Sequence, residues 1–265
     1  MHTRPAAVAG LFYPGTAAAL HETLNVLLAD GDREPAAVCP KVLVVPHAGY
    51  VYSGQLAARA YAQLAPQRHL IRRVVLLGPG HRVWVPGLAL PAAARFETPL
   101  GVVKVDREAF DRVRSLSGVS VSDAAHAEEH SLEVQMPFLQ AVLDDFELLP
   151  LVVGGATPRQ VAEVLQAVWG GPETLIVVST DLSHFHGLED AQRIDAETAM
   201  AIERFATDLV GEQACGAAPL NGLLLLARQR GCRIRRLGLA TSADTAGSTE
   251  RVVGYGAWVL EDMPV

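Results

Sequence analysis

Three histidines each follow a short apolar run with the composition of a buried β-strand. They are His47 after 41–45, His81 after 73–77 and His184 after 175–179. In open α/β sheets, ligands bind at the carboxyl edge of the strands, so parallel neighbouring strands would bring these imidazoles together. Imidazole nitrogens are common ligands of first-row transition metals. The pattern therefore favours a shared metal site over three unrelated loop histidines.

Two further side chains could take part in this site. Asp181 stands three residues before His184, and it could orient a histidine, offer an oxygen to a metal or cap a helix. Cys215 precedes a predicted helix, where a helix N-terminus or a metal would lower the pKa of its thiol. A small buried cysteine is the alternative interpretation, and spacing alone does not favour the ligand.

A second cluster surrounds His130. Glu133 lies three residues later, so the two side chains would share one face of a helix. They could hold a metal or act in acid–base chemistry. A capping arrangement with Glu129 or Ser131 at the helix start accounts for the same residues, and both interpretations stay open.

Alternating strands and helices surround these residues. Helical spacing covers the segments 18–30, 53–65, 161–168, 190–205 and 217–230, with Ser53 a possible N-cap. A helix over 129–143 should be kinked or split by Pro137. Two strands, about 234–241 and 251–260, end the chain. The pattern predicts a single α/β domain with a central, mostly parallel or mixed sheet between helices.

Composition excludes several classes of protein. Half of the 265 residues are hydrophobic and the net charge is −7, so we expect a folded core and no nucleic-acid partner. We expect no signal peptide and no membrane span. Three cysteines do not make a disulfide framework in a chain of this length, which indicates the cytoplasm. Motifs of elbow-type serine hydrolases, P-loop NTPases, zincins and dinucleotide enzymes are missing.

Motifs along the whole length of the chain also resemble the motifs of one protein family. They are Arg4-Pro5, Val8-Ala9-Gly10, Phe12-Tyr13-Pro14, Pro46-His47-Ala48-Gly49-Tyr50, Gly78-Pro79-Gly80-His81, Thr98-Pro99-Leu100-Gly101, Glu129-His130-Ser131-Leu132-Glu133, Ser179-Thr180-Asp181-Leu182-Ser183-His184 and Cys215-Gly216. With them the chain resembles the Memo family, whose prokaryotic members are often labelled AmmeMemoRadiSam system protein B. The resemblance implies one Memo-like domain over 1–265.

The resemblance also implies a fold and a site. Memo proteins look like class III extradiol non-haem iron dioxygenases. The family's metal-binding residues fall on His47, His81 and Cys215, and its pocket residues fall on Asp181 and His184. His130 belongs to a segment close to that pocket. A thiolate in place of the usual carboxylate makes Fe(II) or copper the expected metal.

What the resemblance implies about function divides into three hypotheses. The first is an iron- or copper-dependent, dioxygenase-like oxidoreductase for a small organic substrate, with catalytic roles for His184, Asp181 and His130 and with Asp181 orienting His184. The second is a non-catalytic binding or scaffold protein. The third is a component of a modification pathway, with a radical-SAM protein and AmmeMemoRadiSam system protein A as partners. The chain has no C-x-x-x-C-x-x-C run, so it is not itself the radical-SAM component.

Overall fold

The computed structural model describes residues 2–31, 39–245 and 248–262, in which strands and helices alternate. The strands are β1 (Thr3–Arg4), β2 (Val42–Val45), β3 (Arg73–Pro79), β4 (Leu88–Leu90), β5 (Arg95–Thr98), β6 (Gly101–Val105), β7 (Val119–Val121), β8 (Glu147–Val153), β9 (Thr174–Ser179), β10 (His184–His186), β11 (Arg233–Thr241) and β12 (Val252–Glu261). The helices are α1 (Ala17–Gly31), α2 (Tyr50–Ala62), α3 (Arg107–Val113), α4 (Asp123–Ala127), α5 (His130–Glu133), α6 (Met136–Val142), α7 (Pro158–Val168), α8 (Leu188–Glu203) and α9 (Ala217–Arg230). Short 3-10 turns cover Ala65–Gln67 and Ser242–Asp244.

The sheet is mixed, as the sequence predicts. Its centre runs β8-β3-β9-β2, and these four strands are parallel. Beyond β2, strand β12 is antiparallel and pairs in turn with β11 and β10. Beyond β8, the parallel neighbour β6 leads to the antiparallel β5.

Helices cover both faces of the parallel centre, which explains why its strands are apolar at almost every position. In β2, Leu43 and Val45 belong to one hydrophobic core, which is shared with α1, α2 and α6. The alternate residues Val42 and Val44 belong to a second core, shared with α3, α7, α8 and α9. This two-sided burial anchors the strand ends from which the site is built.

Two local predictions and one unpredicted strand can be compared with the structure. The predicted helix over 129–143 is split into α5 and α6, and Pro137 stands in the first turn of α6, where its missing N–H costs no hydrogen bond. Ser53 is not an N-cap, because α2 begins at Tyr50 with Gly49 as its cap. The strand β10 was not predicted, and it exists because β12 offers it a pairing edge.

Three neighbouring central strands end at the same edge of the sheet, beside the site. His47, His81 and Asp181 each come two residues after the end of β2, β3 and β9 respectively, and these strands are neighbours. The three residues therefore share one edge of the sheet. Among the described helices, none combines the length and apolar character needed to cross a membrane.

Candidate metal centre

Three histidines form the centre of the candidate site. One ring nitrogen from each of His47, His81 and His130 lies within 4.8 Å of the corresponding nitrogens of the other two. The ring centroids are 5.2 Å apart for His47 and His81, 5.4 Å for His47 and His130, and 4.6 Å for His81 and His130. Such a cluster of imidazoles could hold one metal ion.

The hydrogen bonds around His47 fix its tautomer. Its Nδ1 lies 2.8 Å from Ser179 Oγ, and the Ser179 hydroxyl donates its single proton to the carbonyl of Ser131 at 2.6 Å. Ser179 Oγ must therefore accept the Nδ1–H of His47, as it accepts the Gln135 side-chain amide at 2.8 Å. Nε2 of His47 is therefore the unprotonated ring nitrogen, which is the state that a metal ligand needs.

Glu129 orients His81 in a similar way. Its carboxylate lies 2.9 Å from His81 Nδ1 and also accepts the backbone N–H of His81 at 2.6 Å. Burial raises the pKa of Glu129, but the hydrogen bonds from His81 and Ser131 outweigh it and bring that pKa down to about 2. An ionised Glu129 accepts the Nδ1 proton of His81, which leaves Nε2 as the ring nitrogen that could bind a metal.

His130 opens the short helix α5, where Glu129 is the N-cap and accepts the N–H of Ser131. Its Nδ1 is buried and has no hydrogen-bond partner among the described residues, although it lies 3.3 Å from Glu129 Oε1. Burial lowers the pKa of His130 to about 4 and also lowers that of His47 well below its usual value. Both rings are therefore neutral at physiological pH.

A glycine allows α5 to reach the sheet. A Cβ at Gly78 would stand 2.7 Å from Ser131 Oγ, so only glycine permits this approach of α5 to β3. Ser131 in turn donates its hydroxyl to the carbonyl of Pro79 at 2.9 Å. The contact places His130 beside His81, which is why residues almost fifty positions apart meet.

Cys215 contacts the cluster but does not belong to the group of three. Its Sγ is 3.3 Å from His47 Nε2, and it accepts the N–H of Asp181 at 3.3 Å. Burial, followed by the charge of Asp181, raises the pKa of the thiol to about 12. The helix N-terminus by itself therefore does not lower this pKa, because the desolvation of a thiolate outweighs the nearby N–H groups.

Asp181 and His184 lie next to the histidine cluster. Asp181 accepts the backbone N–H of His47 at 2.8 Å, and burial raises its pKa to about 7. His184 Nδ1 lies 2.8 Å from the carbonyl of Leu182, so that carbonyl and not Asp181 orients its ring. The expectation that Asp181 orients His184 therefore does not fit this structure, and Asp181 positions His47 instead.

Glu133 has a structural role, although the sequence left it open as a ligand. Its carboxylate contacts the buried guanidinium of Arg4 and accepts the N–H groups of Ala7 and Val8 and the hydroxyl of Tyr13. The network holds the N-terminal segment against the helix that carries His130. Phe12 of that segment packs on the His130 ring, with centroids 4.7 Å apart.

The sequence interpretation did not anticipate the roles of Ser179, Glu129 and Phe12 in the site. Glu129 was visible only as a helix cap, since its contact with His81 spans 48 positions. Ser179 ends a buried strand, and its apolar neighbours hide its role as the acceptor from His47. Local spacing carries no signal for such long-range contacts.

The donor set fits a transition metal ion. Two imidazoles have their second nitrogens engaged by acceptors, and the third has a buried nitrogen without a partner. Imidazole nitrogens held in this way suit iron, copper or zinc better than the hard cations magnesium and calcium, which prefer oxygen. Cys215 could add a sulfur ligand beside His47 once its proton is displaced.

Comparisons with known proteins place the chain in a family. The model of the family Memo, described as Memo-like protein, matches residues 4–259. A MEMO1 family protein of Ignicoccus hospitalis is 37% identical and covers 97% of this chain and 98% of its own. The relative from Thermotoga maritima is 34% identical, with 97% and 99% covered. The relative from Aquifex aeolicus is 32% identical, with 96% and 98% covered.

One solved structure is also similar in fold. The crystal structure of the uncharacterized protein JW3007 from Escherichia coli K12 matches with a TM-score of 0.52. The match covers 81% of this chain and 98% of that one, at 13% sequence identity. At this identity the likeness concerns the α/β fold alone.

Proposed function

The chain belongs to the Memo family, and from that premise we propose that it is a metal-dependent oxidoreductase whose ion is held by His47, His81 and a third ligand. The observation that carries the proposal is the convergence of three imidazole nitrogens within 4.8 Å at one sheet edge. Iron or copper bound there would supply redox chemistry and an electrophilic site for O2 or a substrate oxygen.

The third ligand is either His130 or Cys215. One ring nitrogen of His130 lies within 4.8 Å of those of both other histidines, while Cys215 Sγ lies 3.3 Å from Nε2 of His47. We propose His130 as the ligand in the arrangement described here. Cys215 is the alternative, because its sulfur lies 3.3 Å from Nε2 of His47 and thiolates bind transition metals.

Residues beside the cluster would handle protons and exclude water. Asp181 has a pKa of about 7, because burial opposes its charge, so it can accept or release a proton near neutral pH. His184 lines the cavity beside it and can carry a proton at Nε2, since its Nδ1 faces the Leu182 carbonyl. Phe12 covers the His130 ring and limits the access of water from that side.

Metal analysis tests the proposal. We expect protein produced with iron and purified without chelators to contain about one ion per chain. His81→Ala should remove most of it, and the control His69→Ala, an exposed histidine outside the site, should leave the content unchanged. Unchanged metal in His81→Ala would overturn the proposal.

The third ligand and the activity need two more measurements. The metal contents of His130→Ala and Cys215→Ser identify the third ligand. The variant that loses the metal as His81→Ala does has lost that ligand. Anaerobic loading with Fe(II), followed by O2 and a panel of catechol-like compounds, tests the oxidoreductase. Consumption of O2 with a substrate supports it. Metal binding without O2 consumption would instead favour a binding protein.

A further inference from the structure

A cavity of about 410 Å³ opens beside the histidine cluster. This volume is in the range of pockets that hold small molecules. Its aromatic and apolar lining includes Phe12, Tyr52, Val253 and Tyr255, and its polar lining includes His130, Asp181 and His184. A flat apolar body would fit between these rings with a polar edge turned toward the histidines.

Arg251 is the single cationic side chain, other than the histidines, in the described lining of this cavity. Its guanidinium lies 5.1 Å from the centre of the Phe185 ring and makes no ion pair with a carboxylate of the described residues. By contrast, Arg236 on β11 is paired with Glu203 at 3.0 Å. An arginine at a cavity without a carboxylate partner is free to bind an anion.

The backbone around Arg251 supports this placement. Phe185 adopts a φ of 63°, which is uncommon for a bulky residue, and its ring is 61% exposed beside the guanidinium. Val253 of β12, two residues after Arg251, pairs directly with His184, so Arg251 lies on the His184 side of the cavity. Phe12 and His130, which pack on each other, also line the cavity.

Charge decides which anion suits the site. A single guanidinium matches the single negative charge and the two oxygens of a carboxylate in a bidentate pair. A phosphate dianion would keep an uncompensated charge close to the Asp181 carboxyl, which also lines the cavity. The carboxylate is therefore the better match.

We propose that this cavity binds a small aromatic carboxylate, with Arg251 holding the carboxylate and the ring lying between Phe12, Tyr52 and Tyr255. The inference rests on the proposed function, because the other end of the ligand would lie beside the metal ligands. It names the substrate class of that site and assigns Arg251 as the residue that determines specificity.

Calorimetric titration of the full chain, metal-free and loaded with Fe(II) under anaerobic conditions, tests the proposal. The probes are 4-hydroxybenzoate and its uncharged counterpart 4-hydroxybenzamide. We expect the acid to bind about tenfold more tightly than the amide, which is a modest value for a charge-assisted pair. Arg251→Gln should abolish this preference and leave binding of the amide unchanged.

Controls separate this inference from the metal proposal. Arg233→Gln removes an exposed arginine on β11, outside the cavity, and should keep the preference for the acid. Arg251→Gln should keep the wild-type metal content. Equal binding of acid and amide to the wild type, or a preference that persists in Arg251→Gln, overturns the inference. A preference that persists in His81→Ala, after metal loss, supports Arg251 whatever the fate of the metal site.

Discussion

Two buried polar clusters meet at the segment from Glu129 to Glu133, and they are built differently. Around Glu133, both carboxylate oxygens are fully engaged by Arg4, Tyr13 and two backbone N–H groups. Around His130, the imidazoles face each other, and Nδ1 of His130 has no hydrogen-bond partner among the described residues. The first cluster is complete with protein atoms alone, and the second is not.

The difference distinguishes structural from functional polar groups. Buried polar atoms are nearly always paired, so a saturated network needs nothing further. Nδ1 of His130 lacks such a partner among the described residues, and a metal ion held by the converging imidazoles would supply one. Mutations in the two clusters should therefore change different quantities. Those around Glu133 should lower stability, and those around His130 should lower ligand affinity.

The largest effect should follow from Glu133→Ala. It leaves the Arg4 guanidinium buried without its carboxylate, and the loss of one partner of a buried ion pair costs about 3–5 kcal/mol. Chemical denaturation should show this loss of unfolding free energy. Glu128→Ala, which removes an exposed carboxylate one residue before Glu129, is the matched control. If both variants are equally stable, the structural role of Glu133 is wrong.

Glu129→Gln should lower the affinity for the metal rather than the stability of the fold. The amide keeps the size of the side chain but loses the charge that orients His81, and such changes typically weaken metal binding by about 10–100-fold. Competition with a chelator of known affinity measures the change, with Glu128→Gln as control. Wild-type metal affinity in Glu129→Gln would contradict the proposed orientation of His81.

Tyr13→Phe should give the smallest effect, and one that depends on pH. The hydroxyl of Tyr13 donates to Glu133 at 2.6 Å, and hydrogen bonds to charged groups contribute about 1.5 kcal/mol or more. Burial, and then the charge of Glu133, raises the pKa of this phenol above its usual value. Its contribution is therefore fully present below pH 10, the usual pKa of tyrosine, and is lost as the pH rises above it.

Unfolding curves of wild type and Tyr13→Phe measured between pH 7 and about pH 11 test this dependence. The difference in unfolding free energy should shrink above pH 10, because only the unfolded chain releases the phenolic proton there. Tyr52→Phe, in a ring that is 39% exposed and outside the network, is the control. If the difference in unfolding free energy stays constant across this range, Tyr13 does not belong to the hydrogen-bond network around Glu133.

Much of the site was predictable from the chain itself. Apolar runs of four to seven residues set the central strands, and turns directly after them carry His47, His81 and Asp181. Because side chains at the carboxyl ends of parallel strands share one edge, strand order alone brings these residues together. The split helix at Pro137 also follows from local chemistry, since proline cannot donate the hydrogen bond of a helix interior.

Tertiary structure decided the rest. The sequence left His130 open as a ligand or part of a cap, and the contact of α5 with Gly78 put it beside His81. In the folded protein, Asp181 accepts a hydrogen bond from the backbone of His47 and does not orient His184. Burial, which no local pattern reports, lowered the pKa of His130 and raised that of Cys215. Sequence thus determined which residues reach the edge, while packing determined their partners and protonation, because both depend on contacts between distant segments.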